Sequence, residues 1–261
     1  MIGFHSWWTK PGGEKGLGRF ELLTMVLSAL KWREKNGEIV LVTDTFGADY
    51  IKTKGLDACW DRVLTDLDNI PEEIDPLRFW AAGKIYALKC FKAPVVSIDT
   101  DFIVWGDLEL ESCKSGVCVI HREMLNPAVY PTTTEFTDFD DGFCWDVLPA
   151  NTAFVYFGNE NLKNEYIRYA ENFMTTCAKG DTLQPMVFAE QRLLSMVADK
   201  MKIKLDVFSS LEKLSLGEDE RFTHLWGFKK SLREDEDLRQ EFIKKLEKRI
   251  YTDFPHMKSI I

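Results

Sequence analysis

The segment that decides the fold of this chain reads Val95-Val96-Ser97-Ile98-Asp99-Thr100-Asp101-Phe102-Ile103. Apolar and small residues of the kind that fill a buried strand are followed by two aspartates, one residue apart. Open α/β sheets bind their ligands at the carboxyl ends of the strands. Because Mg²⁺ and Mn²⁺ prefer oxygen ligands and are often shared with phosphates, Asp99 and Asp101 predict a metal and phosphate site. A solvated turn after a core strand is the alternative interpretation.

The composition indicates a folded, acidic protein. The 261 residues are 45% hydrophobic, enough for one large α/β domain, alone or with a small appendage. The net charge of −9 disfavours a general nucleic-acid-binding protein, which would usually be basic. Six cysteines form no CxxC pair and no zinc-ligand spacing, which indicates a reduced, cytoplasmic chain. No signal peptide or transmembrane segment is expected, because no apolar run is long enough.

Strand-like and helix-like patterns alternate over the first 100 residues, which predicts a largely parallel sheet. A helix is expected over residues 19–35, followed by a strand at Ile39–Val42 that is buried on both faces. Asp75-Pro76 is expected to begin a helix that runs to about Cys90. Residues 231–234 have the pattern of a capping box and are expected to open a final helix that ends near Tyr251.

Three polar residues fall on helix faces that should be apolar. Lys84 lies on the apolar side of the helix expected before the Asp99 strand, so its ammonium group must reach an edge or meet an anion. Glu190 and Gln191 fall on the apolar side of a helix expected over residues 186–200. A buried carboxylate is costly unless it is paired or functional. A position at the edge of the helix is the alternative.

A histidine, a glycine and a lysine follow one another at intervals of three residues after a strand-like stretch. These are His224, Gly227 and Lys230. An imidazole can complete a Mn²⁺ site built on carboxylates, a glycine lets the backbone approach a ligand, and a lysine can neutralise a phosphate oxygen. His224 alone would more often be a core or surface residue. The aspartate pair in the same chain favours the metal site.

Together these motifs resemble those of GT-A glycosyltransferases, specifically the retaining type that includes glycogenin and the bacterial lipopolysaccharide galactosyltransferases. That type carries an Asp-x-Asp at a strand end, matched by Asp99-Thr100-Asp101, and a downstream His-x-x-Gly-x-x-Lys, matched by residues 224–230. It also carries a lysine before the Asp-x-Asp strand, matched by Lys84. Its Asn-x-Gly strand entry and its helical Asp-Gln pair correspond to Asn151-Thr152-Ala153 and Glu190-Gln191. The agreement in order and spacing extends from about residue 2 to residue 230.

This chain departs from the family pattern at four positions. Ala153 replaces the glycine of the strand entry, and Glu190 replaces the aspartate of the helical pair. Ser231 and Leu232 stand where a proline and a tryptophan often follow the family's lysine. The first two departures concern the acceptor side of the site more than the metal ligands, which suggests a divergent branch.

The resemblance implies an α/β fold of the GT-A type, which is Rossmann-like and typical of nucleotide-diphospho-sugar transferases. Its mixed, mostly parallel sheet, flanked by helices, would occupy residues 1–230, with a helical extension packed on it over residues 231–261. It also implies a glycosyltransferase, most simply a hexosyltransferase, that depends on Mn²⁺ or Mg²⁺. The sugar would move from a nucleotide-diphosphate donor, most simply a UDP-sugar, to a hydroxyl of a saccharide or other acceptor, with retention.

The same resemblance implies a role for each matching residue. The metal ligands would be Asp99, Asp101 and His224. The donor would be bound by Lys84, Gly227 and Lys230, with Asp44, at the end of the second strand, as a candidate for the nucleoside. The sugar and acceptor side would be lined by Asn151, Glu190 and Gln191.

Two other functions remain open from the sequence. A sugar nucleotidyltransferase would need a glycine-rich, arginine-containing loop after the first strand, and Gly16-Leu17-Gly18-Arg19 is a late candidate for it. An inactive nucleotide-sugar-binding module is the other. A phosphatase with the motif Asp-x-Asp-x-Thr is excluded, because position 103 is isoleucine.

Two segments add further expectations. A long loop over residues 126–149 carries Asp138, Asp140 and Asp141, which could supply the base that an inverting enzyme needs. The final helix carries a row of basic residues beside apolar ones, which allows a weak peripheral membrane contact. Acidic residues dilute this basic face, so packing on the domain is the preferred interpretation.

Overall fold

A mixed sheet of seven strands forms the centre of the protein in a computed structural model that describes residues 1–131, 136, 139, 142–176 and 183–261. The strands, in chain order, are β1 (Ile2–Trp7), β2 (Ile39–Thr43), β3 (Arg62–Leu64), β4 (Val95–Ile98), β5 (Phe102–Val104), β6 (Val117–Val119), β7 (Phe154–Phe157), β8 (Asp206–Val207) and β9 (Phe222–His224). The order in the main sheet is β3-β2-β1-β4-β7-β6-β8, and β5 pairs with β9 in a separate ribbon. Only β7 runs antiparallel to its two neighbours. The predicted mixed, mostly parallel sheet is therefore confirmed.

Helices cover both faces of this sheet. They are α1 (Arg19–Lys35), α2 (Thr45–Thr53), α3 (Ala82–Ala87), α4 (Glu160–Thr176), α5 (Leu183–Val187), α6 (Leu193–Lys200), α7 (Leu211–Ser215), α8 (Phe228–Glu234) and α9 (Glu236–Asp253). A single turn of π-helix, residues 188–192, joins α5 to α6. The first helix packs on one face together with α9, and the other face is covered by α3, α4 and α6.

The strands are buried on both sides, as the continuous apolar runs predict. In β2, Val40 and Val42 point into the core beneath α3 and α4, whereas Ile39 and Leu41 point into the core beneath α1. The register places β1 between β2 and β4, both parallel to it. The carboxyl ends of β1 and β4 therefore lie side by side at one edge of the sheet, where ligands bind in such folds.

The small ribbon of β5 and β9 brings distant residues to that edge. Phe102 pairs with His224 in an antiparallel register, and the amide of Leu225 donates a hydrogen bond to the carbonyl of Asp101 at 3.2 Å. Because Asp101 immediately precedes β5, this pairing fixes His224 beside it although 122 residues separate them along the chain. The backbone pairing of β5 with β9 thus holds His224 close to Asp101, as a shared metal site would require.

Two predicted helix starts are wrong. Asp75 accepts a hydrogen bond from the amide of Leu77, but the resulting turn does not continue, and the helix begins only at Ala82. Residues 231–234 do not open the last helix, because Ser231 lies inside α8. Asp235 is the cap of α9 instead, since its carboxylate accepts from the amide of Leu238 at 3.0 Å.

The C-terminal region packs on the rest of the protein through α9. Its apolar residues Ile243, Leu246 and Ile250 are buried in the same core as α1. The exposed side of α9 is left with charged residues, so it offers little apolar surface to a membrane. No helix among the described residues combines the length and the apolar character needed to cross a bilayer. Asp138, Asp140 and Asp141 lie outside the described residues.

Candidate functional site

An open pocket of about 360 Å³ lies at the carboxyl ends of β1 and β4. Its polar lining comes from six separate parts of the chain: Ser6, Lys84, Asp99, Thr100, Asp101, Asn151, Thr152, Glu190, Gln191, His224 and Lys229. Seven of the ten site residues predicted from the sequence therefore converge on one cavity. The three others, Asp44, Gly227 and Lys230, are not part of its lining.

Two carboxylates and an imidazole meet at the floor of this pocket. Asp99, Asp101 and His224 each offer a ligand atom, and these atoms lie within 4.8 Å of one another. Two ligands on opposite sides of Mg²⁺, each at about 2.1 Å, would be about 4.2 Å apart. Movements of a few tenths of an ångström, within ordinary side-chain motion, would therefore let all three atoms bind one cation, with further positions left for other ligands.

The chemical state of these groups also fits a hard divalent cation. Burial lowers the pKa of the His224 imidazole below its usual value, and the carboxylates of Asp101 and Asp99 offset this only in part. The ring is therefore neutral at pH 7 and keeps a lone pair for a metal. One oxygen of Asp101, Oδ2, is buried without a hydrogen-bond partner, since the Lys229 ammonium 2.7 Å away makes an ion pair outside hydrogen-bond geometry.

Lys84 holds two carboxylates at once. Its ammonium group lies 2.5 Å from Asp99 Oδ1 and also pairs with Glu190 Oε1, which accepts a second hydrogen bond from the hydroxyl of Thr152 at 2.7 Å. Burial alone would lower the pKa of Lys84, but the two carboxylates more than compensate and raise it. The sequence left two positions open for this lysine, at an edge or opposite an anion; in the structure it meets two anions, which are side chains of the protein. With Oδ1 of Asp99 bound to Lys84, Oδ2 can face a cation.

Glu190 and Gln191 are presented by the π-helical turn. Successive residues of an α-helix point about 100° apart, and a wider turn reduces that angle, so both side chains can face the pocket. The turn is stabilised from outside, because the hydroxyl of Tyr166 donates to the carbonyl of Glu190 at 2.9 Å and the amide of Ala150 donates to that of Gln191 at 3.3 Å. Such turns are rare and occur frequently at functional sites.

The two amide side chains of the pocket are held by buried partners. The hydroxyl of Tyr130 donates to Gln191 Oε1 at 2.6 Å, which leaves the amide nitrogen of Gln191 as the group that can donate to a ligand. Asn151 is more fully engaged: its nitrogen donates to Glu123 at 2.8 Å, and its oxygen accepts from the amide of Ala153 at 3.0 Å. Gln191 is therefore the better ligand-binding amide of the pair.

The lysine that faces the pocket is Lys229, and Lys230 is not part of the lining. Helix α8 begins directly after Gly227, so two successive lysines point in directions about 100° apart. Lys229 pairs with Asp101, whereas Lys230 is 82% exposed and lies 3.8 Å from Glu234 on the same helix. The pocket is thus lined by Lys229 and not by Lys230, the residue predicted to bind phosphate. A Cβ on Gly227 would meet no atom within 4 Å, so no contact in the structure requires this glycine.

Asp44 caps a helix. Its carboxylate accepts hydrogen bonds from the amide of Gly47 and from the amide and hydroxyl of Thr9, which satisfies the start of α2. An aspartate directly after a strand and before a helix is a normal N-cap signal that the sequence already contained. Arg19 of the candidate nucleotidyltransferase loop pairs with Glu247 at 2.7 Å and is not part of the pocket lining.

Sequence reasoning missed the aromatic wall of the pocket. It consists of Trp7, Trp8, Trp80 and Trp226, with Leu183 and Val187 beside them. Trp80 is 40% exposed and Trp226 is 74% exposed, unusually high for such large apolar side chains. Trp226 stands two residues after His224 and Trp80 four residues before Lys84, so proximity to the polar motifs was the signal that could have identified them.

Comparison with known protein families places the chain in a family without an assigned function. Residues 10–143, just over half of the sequence, match the family of unknown function DUF6734, and the chain belongs to that family. No curated protein matches the sequence.

Several solved structures of glycosyltransferases are similar to this one. The PaToxG glycosyltransferase is 12% identical with a TM-score of 0.47, over 77% of this chain and 69% of its own. Mouse xyloside xylosyltransferase 1 is 10% identical with a TM-score of 0.43, over 79% and 84%. The galactosyltransferase LgtC, in complex with donor and acceptor sugar analogs, is 9% identical with a TM-score of 0.39, over 74% and 71%. All three TM-scores are below 0.5.

Proposed function

We propose that this protein is a metal-dependent glycosyltransferase that uses a nucleotide-diphosphate sugar, most simply a UDP-sugar. The observation that carries the proposal is the convergence of Asp99, Asp101 and His224 beside two lysines in one open pocket at the strand ends. The resemblance of the sequence motifs to GT-A enzymes of the retaining type supports it independently. The ligand would be Mn²⁺ or Mg²⁺, which suit carboxylate-rich sites.

The charge balance of the pocket favours joint binding of a cation and a diphosphate. Its lining contains three carboxylates and two ammonium groups, a net charge of one negative unit with His224 neutral. A diphosphate alone would be repelled by Asp99 and Asp101. With a divalent cation the net charge becomes one positive unit, which attracts phosphate oxygens.

Each part of the pocket has a role in the transfer. The bound cation would stabilise the negative charge that develops on the leaving diphosphate. Lys229 would exchange Asp101 for a phosphate oxygen, and Lys84 would hold the carboxylates of Asp99 and Glu190 in place. Gln191 would donate a hydrogen bond to the sugar. Trp80 and Trp226, at the pocket wall, would contact an acceptor such as a saccharide, whose hydroxyl attacks the sugar.

The direct test is turnover of a panel of nucleotide sugars with Mn²⁺, with Mg²⁺ and with EDTA. Metal-dependent release of the nucleoside diphosphate from one donor, increased by an acceptor saccharide, is the expected result. Release of pyrophosphate from a nucleoside triphosphate and a sugar phosphate would identify a nucleotidyltransferase instead. Binding of a nucleotide sugar without turnover in any combination would identify the inactive module.

Retention of the anomeric configuration is expected. An inverting enzyme needs a carboxylate that is free to take the acceptor proton, but Glu190 is already bound to Lys84 and Thr152. An α-linked donor should therefore give an α-linked product, read from the anomeric proton by NMR. A β-linked product would overturn retention and direct attention to the loop that carries Asp138, Asp140 and Asp141.

The two adjacent lysines provide a matched pair of variants. Lys229→Ala should weaken binding of UDP in the presence of Mn²⁺ by about 1.5–3 kcal/mol, the range for a hydrogen bond to a charged group. Lys230→Ala should leave the affinity unchanged, because that side chain points into solvent. Isothermal titration of both variants decides, and the opposite ranking would restore the assignment to Lys230.

Tyr130 should act on turnover through Gln191. Tyr130→Phe removes a buried hydrogen bond worth about 1 kcal/mol, so kcat should fall about fivefold while the Kd for UDP stays constant. In a Gln191→Ala background the same change should have no further effect on kcat, because the group that Tyr130 orients is gone. The control is Tyr86→Phe. Tyr86 is a buried residue whose hydroxyl is hydrogen-bonded to Glu171, and it is not part of the pocket lining. Equal loss from Tyr130→Phe in both backgrounds would contradict the positioning role.

A further inference from the structure

A second cavity, separate from the candidate active site, contains two of the cysteines. It has a volume of about 700 Å³ and lies at the edge of the sheet formed by β6 and β8. Cys113 and Cys118 line it together with Ser115 and Asp206. Cys113 is half-buried and Cys118 is buried, so one sulfur can be reached from solvent while the other lies behind it.

A tight turn brings the two cysteines together. The amide of Gly116 donates to the carbonyl of Cys113 at 3.2 Å, which closes the turn, and Gly116 has a φ of +77° that favours glycine. Cys118 follows two residues later on β6 and lines the same cavity as Cys113. The two side chains are close enough that each shifts the pKa of the other, and that of Cys118 is raised.

The surroundings of Cys113 favour a reactive sulfur. The Cys118 thiol lowers the pKa of Cys113 most; burial opposes this, and Ser115, 3.6 Å away, adds to the lowering, which brings the pKa to about 7. Asp206, 4.0 Å away, raises it by a smaller amount. A large part of Cys113 is thus thiolate at neutral pH, and the thiolate is the nucleophilic form.

We propose that Cys113 and Cys118 form a thiol–disulfide exchange site that reacts with low-molecular-weight disulfides such as oxidised glutathione. Low-pKa, accessible cysteines beside a second, resolving cysteine are the arrangement that such chemistry needs. This proposal is independent of the glycosyltransferase function. Cys59 and Cys90 lack the arrangement, since burial raises the pKa of Cys59 to about 12 and that of Cys90 to about 11.

The exchange reaction proceeds in two steps. The Cys113 thiolate attacks one sulfur of the small disulfide, whose S–S bond breaks and releases one small thiolate. Cys118 then loses its proton to solvent and attacks the Cys113 sulfur, which breaks the mixed disulfide and releases the second small thiolate. The protein loses two electrons and two protons as the Cys113–Cys118 bond forms, and the small disulfide is reduced to two thiols.

Digestion with trypsin can detect the Cys113–Cys118 disulfide directly. Lys114 lies between the two cysteines, so trypsin cleaves between them, and a Cys113–Cys118 disulfide keeps the two peptides joined until they are reduced. Native full-length protein treated with oxidised glutathione at pH 7.5 should yield this joined pair. The Cys118→Ser variant should instead accumulate glutathione on Cys113, because the resolving thiol is missing. The Cys144→Ser variant removes an exposed thiol elsewhere and should form the joined pair as the native protein does.

Three results would overturn the proposal. They are stable glutathione on Cys113 of the native protein, reaction of Cys144 ahead of Cys113, or the absence of joined peptides after treatment. Since the native protein alone gives these readouts, the test does not depend on the folding of the Cys118→Ser variant.

Discussion

Asp101→Asn is expected to abolish the strengthening of UDP binding by Mn²⁺ or Mg²⁺. The substitution keeps the shape of a buried side chain but removes the charge of a direct ligand, whose Oδ2 has no hydrogen-bond partner. Loss of outer-shell partners of a metal costs about 10- to 100-fold in affinity, so loss of a direct ligand should cost at least about 100-fold. Isothermal titration with UDP, in Mn²⁺ and in EDTA, measures the difference.

The matched control is Asp253→Asn. Asp253 is a partly buried aspartate that, like Asp101, pairs with a lysine, Lys31 at 2.6 Å, and it also pairs with Arg249 at 2.6 Å, but it belongs to the end of α9. This variant should keep the metal dependence of the native protein. If Asp101→Asn also kept it, the aspartate would not be a metal ligand and the proposed function would lose its main support.

The structural features that depend on local sequence patterns could be predicted. An apolar run buried on both faces, ending in Asp99 and Asp101, correctly predicted a core strand with the aspartates at the ligand-binding edge of the sheet. The assignment of His224 came from the residue types around it, from the aspartate pair in the same chain and from a family motif. Its physical cause is the pairing of β5 with β9, which no local pattern reveals.

The features that could not be predicted depend on the residue at which a helix begins or on contacts between residues far apart in the chain. Lys229 faces the pocket because α8 starts directly after Gly227, and motif spacing alone selected Lys230. The pairing of Lys84 with Glu190 joins residues 106 positions apart. Such contacts are set by packing of the whole sheet with its helices, so sequence analysis could identify a lysine out of place but not its partners.

Lys84→Met is expected to reduce the free energy of unfolding by about 3–5 kcal/mol, the range for removing one partner of a buried ion pair. The substitution leaves the partly buried Asp99 and the buried Glu190 without their common cation. Lys230→Met is the control: that lysine is 82% exposed and pairs only loosely with Glu234, so its loss should change stability by no more than about 0.5 kcal/mol. Urea denaturation of both variants measures these changes.

The dependence on pH identifies the cause of the destabilisation. Burial opposes ionisation of Asp99, but Lys84 keeps the pKa of Asp99 below its usual value. The stabilisation is therefore present above the unfolded pKa of about 3.9 and is lost as the pH falls through the lower folded value. The raised pKa of Lys84 has the opposite consequence: its contribution is complete below about 10.5 and is lost only as the pH rises through the folded value. The gap between native protein and Lys84→Met should thus be largest near pH 7 and shrink as the pH falls, because without Lys84 the Asp99 carboxyl of the variant is protonated at a higher pH than that of the native protein.

Adding Glu190→Gln to Lys84→Met separates charge from packing. If the loss arises from unpaired carboxylates, removal of one of the two should recover part of the stability, although Glu190→Gln alone should destabilise the native protein by leaving Lys84 with one partner fewer. Additive losses in the double variant would mean that Lys84 contributes through the packing of its alkyl chain. In that case the three residues would not form the charge-coupled unit on which the ionised state of Asp99, and with it the metal site, depends.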